Sequence, residues 1–180
     1  EEAGYGEDNR FDLTINAYNS GAFQQLAQGL RDKLSSAYID VTVEPTDFST
    51  IIEKGNQGTL QCYTLGWLAD WPAPDNFLQL LNPPQTDTSL DFPISYVNWQ
   101  PENGDAAQQA EEAYQAIAEN PAPTEEDQTA RNDAYLEMEN ANWEDVAMLP
   151  VYHELTELFW YDHVDFAPPA GMGPSRQKMN

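Results

Sequence analysis

The sequence predicts an α/β fold in which helices flank a parallel or mixed sheet. Three segments, residues 11–18, 39–45 and 60–66, have the apolar pattern of strands. Two stretches with the apolar spacing of helices separate them, which gives the order βαβαβ. Helical connections of this length join parallel neighbours, because an antiparallel pair needs only a tight turn. The order therefore indicates a sheet with helices on its faces.

The first strand, Phe11–Tyr18, alternates large apolar and polar residues and is followed by Ser20, which is placed to cap a helix. Apolar residues at helical spacing follow Ser20: Phe23, Leu26, Ala27, Leu30 and Leu34. The second strand alternates up to Pro45. Asp47 is placed to cap a short helix that we expect to stop before Gly55.

Residues 74–81 predict a short helical turn, and a loop rich in proline and polar residues follows over residues 82–101. Tyr96 and Trp99 lie within this loop. A loop of this length is usually either functional or poorly ordered.

Two longer helices are predicted next, one around residues 106–117 and one that opens at Thr124 and continues through residue 141. Residues 147–161 are apolar and aromatic and predict one or two strands. We find no linker that would divide the chain, so we expect a single lobe over residues 1–166 and an irregular tail over residues 167–180.

The composition supports a folded, strongly acidic protein. The 180 residues are 41% hydrophobic, which is enough to bury a core. The 31 acidic residues against 7 Lys and Arg give a net charge of −24, which disfavours nucleic acid and anionic membranes as partners. The acid is dispersed and would be screened in molar salt, so we predict a halophilic source. The alternative is an ordinary acidic protein whose charge serves solubility.

Cys62 is the one cysteine, which excludes an intrachain disulfide and predicts a half-buried structural thiol in the third strand. No apolar run approaches the roughly 18 residues that a membrane-spanning helix needs.

Residues 65–77 carry the most unusual pattern in the sequence. Trp67, Asp70, Trp71 and Asp75 come after the third strand, where ligands of open α/β sheets bind. A carboxylate between flat aromatic rings suits a cationic group such as an amine. In the alternative interpretation the tryptophans pack at the rim of the core and Asp75 caps the next helix, and for Asp75 we favour this capping role.

Catalytic and metal-binding patterns are weak. The pair Asp70 and Asp75 leaves a glycoside hydrolase as an alternative, although close carboxylates are expected by chance in so acidic a chain. His153 begins a sequence like a zinc-protease motif, but Glu157 replaces the second histidine. His163 lies ten residues from His153, and we favour a solvated or core-packed histidine over the alternative of a weak surface metal contact. We therefore predict no catalytic residues, metal or cofactor.

Four blocks resemble the oligopeptide/dipeptide-binding proteins of ABC importers. They are residues 39–45, residues 65–71 with Gly-Trp-Leu-Ala-Asp-Trp, residues 74–77 with Pro-Asp-Asn-Phe, and residues 148–153. The resemblance covers nearly the whole chain and corresponds to the carboxyl-terminal lobe of that family. It implies a lobe of the type II periplasmic-binding-protein fold, with a mixed sheet flanked by helices.

The resemblance also implies a site. In peptide-binding members of the family, the acid of this block holds the terminal ammonium group of the peptide, which assigns that role to Asp70. Trp67, Leu68 and Ala69 would pair with the extended peptide as an added strand, and Trp71 would be a pocket wall.

The implied protein is an extracellular receptor, periplasmic or anchored at the cell surface, that delivers a peptide to an ABC permease without acting as an enzyme. Its partners would be the peptide, the permease subunits and an amino-terminal lobe missing from this chain. Residues 83–101 depart from the short link of the family, which leaves the ligand size open. Sugars, opines and nickel chelates remain alternative ligands, and a surface interaction domain with an aromatic loop remains an alternative function.

Overall fold

The computed structural model describes residues 3–152, 159 and 161, and these residues form two packed units. The first unit comprises residues 3–66 with 88–96, and the second comprises residues 67–87 with 97–152. The predicted α/β fold is confirmed in the first unit. The predicted boundary between a lobe and a tail stays a prediction, since residues 162–180 lie outside the described part of the chain.

The sheet of the first unit has three described strands, all parallel, in the order β2-β1-β3. They are β1 (Phe11–Tyr18), β2 (Ile39–Thr46) and β3 (Cys62–Thr64). Because β1 has a neighbour on each side, its centre is enclosed, and Ile15 and Ala17 are almost completely buried. The first two strands agree with the prediction, whereas β3 is three residues long and ends before the predicted boundary at residue 66.

Two helices connect the strands. Helix α1 (Gly21–Leu34) joins β1 to β2, and helix α2 (Phe48–Asn56) joins β2 to β3 on the far side of β1. Since parallel connections are right-handed, this reversal of direction places the two helices on opposite faces of the sheet. Ala27 of α1 packs with the centre of β1, and Ile51 of α2 is fully buried.

The caps at the two helix starts differ from the prediction in one respect. Ser20 and Asp47 occupy the N-cap positions with extended backbone, as predicted, but neither side chain caps its helix. Near the start of α1, the Gln24 side chain donates a hydrogen bond to the Asn19 side chain.

Gly58 ends α2, and the prediction that this helix stops before Gly55 was wrong. The helix continues through Gly55 to Asn56, and Gly58 has the left-handed φ of +63°. The Gly58 amide donates to the Gly55 carbonyl and the Thr59 amide donates to the Lys54 carbonyl. This pair of bonds is the Schellman arrangement, in which a glycine reverses the chain after the last turn.

Gly55 does not end the helix but leaves room for an aromatic ring. A Cβ atom at this position would overlap the ring of Tyr96, which lies directly against the helix backbone. The glycine therefore allows an aromatic side chain from the loop after residue 87 to pack on α2. Sequence reasoning cannot separate these two uses of glycine, because both leave the same residue near a helix end.

The second unit is helical in its described part. It contains α3 (Asp75–Leu78), which continues as the 3₁₀ turn Gln79–Leu81, then α4 (Pro83–Thr86), α5 (Asp105–Glu119) and α6 (Glu125–Asp145). The predicted helical turn and the two longer predicted helices are confirmed.

Helices α5 and α6 pack through small side chains. Alanine provides four of the five buried residues of α5 and two of the four buried residues of α6: Ala106, Ala107, Ala110 and Ala113 in α5, with Ala134 and Ala141 in α6. Met138 of α6 is completely buried in the same core. Trp99 also belongs to this core, and its indole N–H donates to the Asp145 carboxylate at 2.8 Å. Part of the predicted irregular loop is thus a core element.

The turn between α5 and α6 is fixed by polar side chains. The Thr124 hydroxyl caps α6 by accepting the Asp127 amide at 3.1 Å, at the residue where the helix was predicted to open. The Arg131 guanidinium donates to the carbonyls of Asn120 and Ala122. These bonds satisfy carbonyl groups that the end of α5 and the turn leave unpaired.

Residues 147–152 contain no strand, so that part of the predicted strand over residues 147–161 is wrong; residues 153–158 and 160 lie outside the described residues. The end of α6 is instead closed by Asn142, whose side chain exchanges two hydrogen bonds with the Met148 backbone. Within the described part of the chain, no helix has the length and apolar character needed to cross a membrane.

Two helical glycines provide a matched test of the packing at Gly55. Gly55→Ala should destabilise the protein by about 1–3 kcal/mol, because the added methyl group must displace the Tyr96 ring. Gly29→Ala in α1 meets nothing within 4 Å and should stabilise the protein by about 0.4–1 kcal/mol. Urea unfolding in molar KCl measures both changes, and equal effects of the two substitutions would contradict the proposed packing.

Candidate functional site

The carboxyl ends of the three strands lie at one edge of the sheet, because all three run in the same direction. The Tyr18 amide at the end of β1 donates to the Thr64 hydroxyl at the end of β3 at 3.0 Å. The chain leaves the first unit after Gly66, two residues beyond Thr64. Ligands of α/β sheets bind at this end of the strands, and the Trp-rich motif, residues 65–71, starts here.

The motif residues have no regular secondary structure. Residues 65–69 belong to no helix or strand, and Leu68 is 76% exposed. Asp70 and Trp71 are also exposed, whereas Trp67 and Ala69 are half-buried. This short segment thus presents an irregular backbone and an acidic side chain at the surface.

Trp67 is anchored by Asn76, a residue to which sequence reasoning assigned no role. The Trp67 indole N–H donates to the Asn76 side-chain oxygen at 2.8 Å, and Asn76 is completely buried. The Gln79 side chain donates to the Asn76 carbonyl and adds a second bond to this residue. A polar residue inside the Pro-Asp-Asn-Phe block was the signal that could have identified it.

Trp71 is held by Asp75, and this contact corrects the predicted role of that acid. The Trp71 indole N–H donates to the Asp75 carboxylate at 3.0 Å, while Pro74 occupies the N-cap position of α3. Asp75 is the first residue of the helix and its side chain does not cap it. The carboxylate therefore orients an aromatic ring.

The charge of Asp75 also affects the pKa values of two tyrosines of the second unit. Burial raises the pKa of Tyr114 and of Tyr135, and the nearby Asp75 charge raises both further, because it disfavours a second negative charge. Asp75 thus lies among aromatic side chains, which agrees with a structural use of its charge.

A partly buried polar cluster, which was not predicted from the sequence, lies at the carboxyl end of β2. The Asn16 side chain, which is 2% exposed, donates to the Glu44 carboxylate at 2.9 Å and to the Thr46 hydroxyl at 3.1 Å. Lys54 of α2 donates to the same Glu44 oxygen at 3.0 Å. The polar Asn16 between the apolar Ile15 and Ala17 was the sequence signal for this cluster.

An open cavity of about 470 Å³ adjoins the cluster in the first unit. Its lining is mostly polar and comprises Asn19, Val43, Glu44, Pro45, Thr46, Asp47, Thr50 and Lys54. Neither Asp70 nor Asp75 lines it, so this cavity gives no support to a glycoside hydrolase built on that carboxylate pair.

The described residues contain no group of three or more His, Cys, Asp or Glu side chains arranged to hold a metal ion. His153 and His163 lie outside the described part of the chain. Cys62 is half-buried, as predicted, and burial raises the pKa of its thiol. A raised pKa favours the neutral thiol, which fits a packing role for this residue.

Comparisons with known proteins agree with the fold and with the motif. Residues 1–89, just under half of the chain, match the family model described as bacterial extracellular solute-binding proteins, family 5 Middle. No curated protein sequence matches the chain significantly.

Several solved structures are similar in fold. The crystal structure of a peptide-binding protein of a peptide ABC transporter has a TM-score of 0.61 at 20% identity, over 81% of this chain and 57% of that chain. The murein tripeptide binding protein MppA of Escherichia coli has a TM-score of 0.62 at 21% identity, over 81% and 25%. OppA of Haemophilus influenzae, in complex with RPPGFSPFR, has a TM-score of 0.58 at 22% identity, over 81% and 26%.

This chain spans between about a quarter and just over half of the length of these three structures. The predicted fold class, a sheet flanked by helices as in the type II periplasmic-binding proteins, is confirmed. That the chain is one lobe of such a protein stays a prediction.

The bonds to Glu44 predict a pH-dependent contribution to stability. The pKa of Glu44 is lowered mainly by the hydrogen bond from Lys54 and next by the hydrogen bond from Asn16. A lowered pKa in the folded state contributes stability at pH values above the pKa of the unfolded chain, and this contribution is lost as the pH falls through the folded value.

We expect Lys54→Met to raise the pKa of Glu44 toward that of an ordinary glutamate, as measured by ¹³C NMR titration of its carboxyl group. Lys33→Met removes the same charge from an exposed position on α1 and should leave the Glu44 titration unchanged. A Glu44 pKa that does not respond to Lys54→Met would contradict the cluster.

The two indole bonds predict different costs for the same substitution. Trp67→Phe should destabilise the protein by about 1–3 kcal/mol, because it leaves the oxygen of the buried Asn76 unpaired. Trp71→Phe breaks an exposed bond and should cost no more than about 0.5 kcal/mol. Urea unfolding followed by circular dichroism gives both values, and a larger cost for Trp71→Phe would refute this assignment.

Proposed function

We propose that this chain, whose residues 1–89 match family 5 of the bacterial extracellular solute-binding proteins, is one lobe of a receptor that captures peptides for an ABC importer. The observation that carries the proposal is that this match contains the exposed Trp-rich motif, residues 65–71. Peptides are supported as the ligand class by the similar structures described as peptide-binding and murein tripeptide binding proteins, and by the one in complex with RPPGFSPFR. In this proposal the ligand is bound and released without covalent change.

Asp70 is the proposed anchor for the terminal ammonium group of the peptide. Its side chain is exposed and lies between two tryptophans in sequence, Trp67 and Trp71. A carboxylate forms a short charge-assisted hydrogen bond with an ammonium group, and an indole ring attracts the same cation through its π face. This combination favours a cationic end over a neutral one.

Residues 67–69 are proposed to pair with the peptide backbone. They belong to no helix or strand and Leu68 is largely exposed, so an extended peptide can approach their main chain. Backbone pairing recognises the peptide independently of its side chains, which suits a receptor for varied peptides. Trp71, oriented by Asp75, is the proposed wall of a side-chain pocket.

The exposure of Asp70 indicates that this lobe needs a partner surface. An ion pair in contact with water contributes about 0–1 kcal/mol, whereas micromolar binding requires about 8 kcal/mol. Most of the affinity must come from backbone hydrogen bonds and from excluding water around the ligand. We therefore propose that a second, amino-terminal lobe closes over the motif, as domain closure does in binding proteins of this class.

The proposed setting is outside the cell, in the periplasm or at the cell surface, where the receptor would deliver its ligand to permease subunits. The net charge of −24 fits a halophilic source in this proposal, because molar salt screens the repulsion between the many carboxylates. The same field attracts cationic ligand groups and repels nucleic acid.

Calorimetric titration of di- to pentapeptides into the native-length protein in molar KCl tests the proposal. We expect micromolar or tighter binding, and a loss of about 10- to 100-fold in affinity for Asp70→Asn and for N-acetylated peptides. Asp75→Asn is the matched control, since it makes the same charge change while keeping an acceptor for Trp71. It should bind peptides as the unmodified protein does.

Two outcomes would overturn parts of this proposal. No binding of any peptide to folded protein would reject peptides as the ligand class and favour sugars, opines or nickel chelates on the same fold. Peptide binding that is equally strong in Asp70→Asn would keep the ligand class and reject Asp70 as the ammonium anchor.

A further inference from the structure

Strand β3 is a weak element to carry a binding motif. It has three residues and pairs with β1 on one side, and it lies at the edge of the described sheet. So short an edge strand gains few backbone hydrogen bonds, and its position depends on side-chain contacts. Tyr63, at the centre of β3, provides such a contact.

The Tyr63 hydroxyl holds the loop that returns to the first unit. It accepts a hydrogen bond from the Tyr96 amide at 3.0 Å and is hydrogen-bonded to the Ser95 side chain. The rings of Tyr63 and Tyr96 also pack edge to face, with centroids 6.2 Å apart. One side chain of β3 thus binds both the backbone and the ring of Tyr96.

The Tyr96 ring is in turn held by α2. It occupies the space that a Cβ atom would need at Gly55, so the ring packs directly on the helix backbone. Tyr63, Tyr96 and Gly55, which we call the tyrosine lock, therefore join β3, the loop over residues 88–96 and α2 within the first unit. All three members belong to that unit.

We propose that the tyrosine lock positions the ligand-binding motif. Residues 63 and 96 lie next to two of the points where the chain passes between the units, after residue 66 and after residue 96. Holding Tyr63 fixes the end of β3, and the proposed peptide-binding residues begin four positions later, at Trp67. This inference rests on the proposed function, and it makes Tyr63 and Tyr96 positioning residues that act without touching the ligand.

Comparing two tyrosine-to-phenylalanine substitutions separates the effect of breaking the lock from the effect of losing any tyrosine hydroxyl. Tyr63→Phe removes the acceptor for the Tyr96 amide and leaves a partly buried N–H group unpaired. Tyr96→Phe keeps the ring and the amide, which are the parts that the lock uses. Tyr63→Phe removes both hydrogen bonds of the Tyr63 hydroxyl, and we expect it to weaken peptide binding by about 3- to 10-fold; Tyr96→Phe should leave binding within about twofold.

Affinity is measured by calorimetry on folded protein in molar KCl, so that a smaller folded fraction does not count as weaker binding. Hydrogen exchange of residues 62–66 is measured on the same samples without ligand. Faster exchange in this segment together with weaker binding, in Tyr63→Phe alone, supports the lock as a positioning device. Faster exchange with unchanged affinity would overturn the positioning role, as would equal effects of the two substitutions.

The failure of the proposed function is distinguishable from the failure of the lock. If the unmodified protein binds no peptide, the proposed function fails. Hydrogen exchange alone then tests whether the tyrosine lock holds the end of β3. Faster exchange confined to residues 62–66 in Tyr63→Phe then supports it, and unchanged exchange overturns it.

Discussion

Parallel pairing of β1 with one strand on each side is the constraint on which the first unit depends. It buries the centre of β1, requires a helix for each return of the chain, and brings three carboxyl ends to one edge. The buried polar Asn16 is tolerated at this centre because Glu44 and Thr46, on the adjacent strand, accept both of its described hydrogen bonds. A buried amide without such partners would cost several kcal/mol.

The motif that leaves this edge combines an anchored part and an exposed part. Trp67 is fixed by the buried Asn76, whereas Asp70 and Leu68 remain at the surface. Such a division suits recognition, because a firmly held ring limits the conformations of the exposed backbone beside it and reduces the entropy lost on binding. In the proposed function, the bond that anchors Trp67 and the tyrosine lock at the end of β3 both restrict the conformations of this segment.

The net negative charge has a larger effect on the stability of this protein than any single ion pair. The described residues contain three ion pairs, Arg10–Asp40, Arg31–Asp32 and Lys54–Glu44, all of them partly exposed. Exposed pairs contribute about 0–1 kcal/mol each, so they offset little of the repulsion among 31 acidic residues. The apolar core and the alanine contact of α5 with α6 must therefore provide most of the stability.

The sequence by itself determined the features that depend on neighbouring residues: strand β1, the helices α1, α5 and α6, and the presence of the Trp-rich motif after the third strand. Apolar periodicity acts over a few residues, so it can be read from the chain directly, whereas the side-chain caps predicted at Ser20 and Asp47 do not form. Tertiary structure alone decided the end of β3, the burial of Trp99 and the role of Gly55. In the case of Gly55, the deciding contact comes from Tyr96, 41 positions further along the chain, and no local pattern encodes which distant ring will occupy the space beside a glycine.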